Sequence, residues 1–140
     1  NIFLFMNYKY LKRYGIILIM SKVNNIKEFN MIMESFLNQL SPLVGTTYFF
    51  YYKKLTKVNS VLPIQEFSKN VLPYKTQIMN KDENYFSDTS NHTDKIQDDK
   101  TTLNEIMRLQ DIYFKLDSDS KKEVWNIFQA LTLLSEQYTQ

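Results

Sequence analysis

The stretch that decides the fold is "NIKEFNMIMESFLNQLSPLVGTTYFFYYKKLTKV", residues 25–58. Its apolar residues Ile26, Phe29, Ile32, Met33, Phe36, Leu37 and Leu40 recur three or four apart, which puts them along one stripe of a helix from about Asn25 to Leu40. Glu28, Glu34 and Asn38 fall outside that stripe. Ser41-Pro42 is read as the stop of this helix and the start of the next, because Ser can cap and Pro at a first helical position gives up only an amide already unpaired. The second helix is then expected from Pro42 to about Val58. At 100° per residue it gathers Val44, Tyr48, Tyr51, Tyr52, Leu55 and Val58 on one face and Phe50, Lys53, Lys54 and Lys57 on the opposite one.

Downstream, "VLPIQEFSKN" and "VLPYKTQIMN" form a near-repeat from Val61 to Asn80, read as two short helices started by Pro63 and Pro73. One duplicated turn makes no solenoid, which needs three or more units. "SDTSNHTDKIQDDK", residues 87–100, has Ile96 as its only aliphatic side chain and is expected to be a polar loop. It holds the sole histidine, His92, read as a solvated side chain; the glycosylation pattern around it is incidental without a secretory signal. Thr102 and Ser120 each open a capping box, for a fourth helix ending near Leu116 and a fifth running to about Tyr138. The fourth is apolar over most of its circumference and is expected to be the central one. The fold class that follows is all-α, a compact bundle of about five helices; two glycines and three prolines are too few for a strand-and-turn protein.

The opening residues, "NIFLFMNYKYLKRYGIILIMSK", are oily and basic, but Asn7, Lys9, Lys12 and Arg13 break the apolar runs, so a spanning helix of about 20 apolar residues is not available. The charges also lie in the middle, where a signal peptide does not carry them. Two readings remain: an interfacial segment, and an extension ahead of Met20-Ser21-Lys22. The expected organisation is a dispensable extension over residues 1–19 and a single helical domain over residues 20–140. The net charge of +2 depends on Lys9, Lys12 and Arg13; without them 14 basic side chains face 15 acidic ones, so the body is no polycation.

No cysteine is present, which excludes disulfides and thiolate chemistry. A Gly-rich phosphate loop, a nucleophile elbow, metal-spaced His residues and framed carboxylate pairs are all missing. "DSDSKKE", residues 117–123, mimics a calcium loop but lacks its Gly and terminal Glu spacing, and is read as a capping turn. No enzyme, metal or cofactor is therefore expected. Two contact surfaces are. Trp125 and Leu133 lie off the apolar face of the fifth helix made by Val124, Ile127, Phe128, Leu131, Leu134 and Tyr138, and large apolar residues left over in this way mark a protein partner or a second copy. The alternative surface is Phe50 with Lys53, Lys54 and Lys57, an aromatic ring in a basic patch suited to nucleic acid.

At "VLPYKTQIMNKDENYF" and "LDSDSKKEVWNIFQALTLLSEQY" the chain resembles the short helical proteins of giant nucleocytoplasmic large DNA viruses, in which an acidic turn precedes a terminal helix of the form Trp-x-x-Phe/Leu-Gln. The abundance of Asn, Lys, Ile, Tyr and Phe, the amino acids of AT-rich codons, is in keeping with such a genome. The resemblance implies a viral protein of the host cytoplasm or virion: a virion component, an assembly factor or a host-interaction module. It assigns no role to any residue.

Overall fold

The computed structural model describes residues 2–88 and 100–140, with side chains described for residues 20–88 and 107–140. The chain is all-α. Among the described residues there are seven α-helices and no strand: α1 (Ile2–Val44), α2 (Thr47–Val58), α3 (Leu62–Asn70), α4 (Lys75–Met79), α5 (Glu83–Ser87), α6 (Lys100–Lys115) and α7 (Ser118–Thr139), with a 3-10 turn at Leu72–Tyr74. The polar loop expected near residues 87–100, with His92, falls almost wholly outside the described residues, as do the side chains of the Thr102 capping box.

The first helix is longer than its apolar stripe at both ends. It runs through Pro42, so that Ser41-Pro42 does not divide it from α2. Proline has no N–H for the Asn38 carbonyl, but the Ser41 hydroxyl donates to that carbonyl at 2.7 Å and replaces the missing donor. The helix closes one turn later, where the Gly45 N–H reaches the Ser41 carbonyl at 2.8 Å. Gly45 has φ +86°, a left-handed conformation that a Cβ disfavours, and this turn is what ends α1.

Proline does begin α3, with Pro63 in its first turn. Pro73 instead lies in the 3-10 turn, and the second half of the near-repeat forms only that turn and the short α4. The Asp82 side chain caps α5 by accepting from the Tyr85 N–H at 3.1 Å. For α7 the cap is upstream of the Ser120 box. The Asp117 carboxylate accepts from the Ser120 N–H at 2.7 Å and its carbonyl from the Lys121 N–H at 3.0 Å, so the helix already begins at Ser118. Hydrogen bonds from the Ser120 N–H and then the Ser120 hydroxyl hold the Asp117 carboxyl below its ordinary range.

The chain forms two compact units, Asn1–Leu72 with Leu131–Gln140, and Pro73–Ala130. In the first, α1 packs on α2 and α3. Phe29, Tyr52, Ile64 and Leu131 are buried together with Asn25, Thr132 and Ser135. Phe29 meets the Phe67 ring edge-on at 5.2 Å between centroids. Full burial of side chains such as Phe29 and Ile64 contributes roughly 1.5–3 kcal/mol each. The stripe read from α1 is correct in this unit: Ile26, Ile32, Met33, Phe36, Leu37 and Leu40 are all at least half-buried.

In the second unit Ile78 is buried, at 3% exposure. Gln129 donates to the Ile78 and Met79 carbonyls at 3.3 and 3.2 Å, tying α7 to the end of α4. The expectation that the fourth helix, α6, is central needs correction. None of its described side chains is buried, and Met107, Leu109 and Phe114 are exposed. Its apolar residues are spread too widely for one neighbour to cover them.

Candidate functional site

In α2 the sequence places Lys53, Lys54 and Lys57 within one turn of Phe50, and what faces water depends on how the helix is rotated. Tyr48, Phe49, Tyr52, Leu55 and Thr56 turn inward. That inner face is rotated by about 60° from the one inferred from periodicity, because Phe49 and Thr56 join it. Tyr51 and Val58, expected on the core side, are therefore 67% and 88% exposed. They join Phe50, itself 56% exposed, and the three exposed lysines. The Lys53 ammonium sits over the Phe49 ring, 5.2 Å from its centroid, and Phe49 meets Phe50 edge-on at 5.4 Å. The structure thus brings Phe50, Lys53, Lys54 and Lys57 onto one solvent-facing surface.

The rotation is held by a polar bracket. The Tyr52 hydroxyl donates to Asn30 Oδ1 at 2.7 Å, and Asn30 Nδ2 donates to the Ser60 carbonyl at 2.9 Å. Asn30 thereby links α1 to α2 and to the turn after it. Burial, and then the negative charge of Glu34, push the Tyr52 phenol well above its ordinary value, so it stays a donor. Beside the bracket lies an open groove of about 360 Å³, lined by Val23, Lys27, Met31, Glu34, Thr56 and Ser60 among others. It offers one cation, one carboxylate and hydroxyls, with no nucleophile paired to a base, so its chemistry is that of binding. Nearby in sequence, Asn25 is buried with its Nδ2 unpartnered among the described residues.

The second unit carries a polar chain threaded through rings. Trp125 donates its indole N–H to the Tyr113 hydroxyl at 2.8 Å, and Tyr113 donates to Glu83 Oε1. Phe86 lies 5.9 Å from the Trp125 ring, and Lys121 sits 5.4 Å from the centroids of both Tyr113 and Phe114. Burial first, then the hydrogen bond to Glu83, push the Tyr113 phenol up to about 12. Trp125 is half-buried, with both its N–H and its ring engaged in this cluster. Leu133, also on α7, belongs to the first unit and is 42% exposed. The residues Glu83, Phe86 and Tyr113 were not singled out by sequence reasoning, and no local signal marks them, since Glu83 and Tyr113 lie 30 positions apart.

Among the described residues no group of three or more His, Asp and Glu side chains is placed to hold a metal ion. No helix among them is long and apolar enough to cross a membrane. Comparison of the chain with protein-family models, curated proteins and solved structures finds no match.

Proposed function

We propose that the protein is a non-enzymatic, all-α interaction module that binds a protein partner or a second copy of itself, with Leu133 in the contact. The observation that carries this reading is the position of Leu133 on α7. Leu131, Thr132 and Ser135 are fully buried around it, while Leu133 is 42% exposed. By helical geometry it points about 150° away from that buried face. Met20, Val23 and Met31 of α1, in the same unit, are 60%, 56% and 60% exposed and add apolar surface to it. Trp125, the other residue singled out for a partner, has its ring and N–H occupied within the second unit, so the reading rests on Leu133. The setting is that of the viral proteins the chain resembles: a virion component, an assembly factor or a host-interaction module, in the host cytoplasm or the virion. The AT-rich amino-acid usage supports that setting.

Sedimentation velocity of the full chain over a concentration series tests the reading. Self-association weakened by Leu133→Glu, or a purified partner whose binding that substitution abolishes, is the expected result. A chain that stays monomeric, and whose partner binding is unchanged by Leu133→Glu, overturns it.

A further inference from the structure

The outer face of α2 combines two kinds of side chain that proteins rarely leave together in water without use. Phe50 and Tyr51 are 56% and 67% exposed at adjacent positions, and Lys53, Lys54 and Lys57 are exposed beside them. At 100° per residue, all five fall within about 160° of the helix circumference. The helix from Thr47 to Val58 contains no acidic residue to neutralise the lysines. The face is also held in place before any ligand arrives: Tyr52 is anchored to Asn30, and the Asn59 N–H closes the helix on the Leu55 carbonyl at 2.8 Å. A ligand therefore meets a surface that has little ordering entropy left to lose.

We infer that this face binds single-stranded nucleic acid, with Phe50 and Tyr51 stacking on bases and Lys53, Lys54 and Lys57 contacting phosphates. Each alternative occupant uses only part of the surface. An acidic peptide satisfies the lysines and leaves the rings in water, whereas an apolar peptide covers the rings and strands three ammonium groups. A duplex presents phosphates, but its bases are already stacked on each other and offer the rings no face. A single strand carries a charge and an open π-face in every nucleotide, which matches charges and rings interleaved along one helix. The near-neutral balance of the remaining chain confines this attraction to α2.

The experiment is fluorescence anisotropy of labelled oligothymidylate with the full chain across a potassium chloride series, with a labelled oligoglutamate peptide and a DNA duplex as comparisons. Oligothymidylate is expected to bind best, with log K falling against log salt at a slope of about −2 from three phosphate contacts. Replacing Lys53, Lys54 and Lys57 with Gln removes that slope. Phe50→Ala and Tyr51→Ala each weaken binding by about fivefold or more and leave the slope unchanged. All five side chains are exposed, so the variants keep their helicity, which circular dichroism checks. No binding of oligothymidylate at low salt overturns the inference. So does equal or tighter binding of oligoglutamate or duplex, or indifference to the loss of both rings.

Discussion

Tyr52 and Asn30 face each other across the α1–α2 contact, and the 2.7 Å hydrogen bond between them sets which side of α2 meets water. The same amide group also donates to Ser60, so its orientation is determined: Nδ2 must point at the carbonyl and Oδ1 at the phenol. Tyr52→Phe removes one neutral hydrogen bond, at a cost of about 1 kcal/mol. Asn30→Ala removes both and leaves a buried hydroxyl unpaired, for about 2–3 kcal/mol. Denaturant unfolding of the two variants beside the parent chain should give that order; equal, negligible losses would show that the bracket does not hold the helix.

Ser41 and Pro42 should behave as a coupled pair. In the parent chain Ser41→Ala leaves the Asn38 carbonyl without its donor and costs about 1 kcal/mol. Pro42→Ala restores a backbone N–H in that place and raises stability by about 1 kcal/mol or more. Once Pro42 is replaced, Ser41→Ala should cost almost nothing. A double-mutant cycle by chemical denaturation measures the difference directly, and additive effects would rule out the hydroxyl as the substitute donor.

Alkaline pH should weaken the fold through Tyr113. Its ordinary value of 10.0 is raised to about 12 in the folded chain, so above pH 10 the unfolded chain releases a proton that the folded one keeps. Stability from this group is complete below pH 10 and declines as pH rises from 10 through about 12. Tyr113→Phe removes that part of the decline, while Tyr52, raised as well, retains its own. Unfolding free energies of parent and variant, measured at intervals across this window, should converge as pH increases; parallel curves would refute the assignment.

A chain starting at Met20 should retain the fold of the first unit. The buried side chains described in α1 begin at Asn25, and Phe29 carries most of the apolar burial there. Equal melting temperatures for the chains from Asn1 and Met20, with no binding of either to anionic liposomes, are the expected outcome. A large loss of stability on truncation would mean that Phe3, Phe5, Ile17 and Leu18 pack into the core, and liposome binding by the longer chain alone would indicate an interfacial segment.

What the sequence by itself determined is what neighbouring residues decide among themselves. Ile26, Phe29, Ile32, Met33 and Phe36 recur at helical spacing, and they line the buried side of α1 because one rigid helix carries that spacing directly into space. Pro63 begins α3 because its ring and missing N–H act within its own turn. The lysines of α2 face water because burying an unpaired ammonium is costly in any packing. Tertiary structure decided the rest. Whether Tyr51 or Phe49 faces inward depends on an amide 22 positions from Tyr52, which periodicity within α2 cannot register. Trp125 sits off its helix's apolar stripe, but Tyr113 and Phe86, from separate helices, engage its N–H and ring. Asp117 begins α7 ahead of the Ser120 box because two competing caps differ only in which carboxylate or hydroxyl reaches a free N–H, and the Asp117 carboxylate reaches the Ser120 N–H at 2.7 Å. Spacing along the chain specifies a helix and its stripe; the rotation of that stripe, and which leftover side chains remain exposed, are set by contacts between segments far apart in sequence.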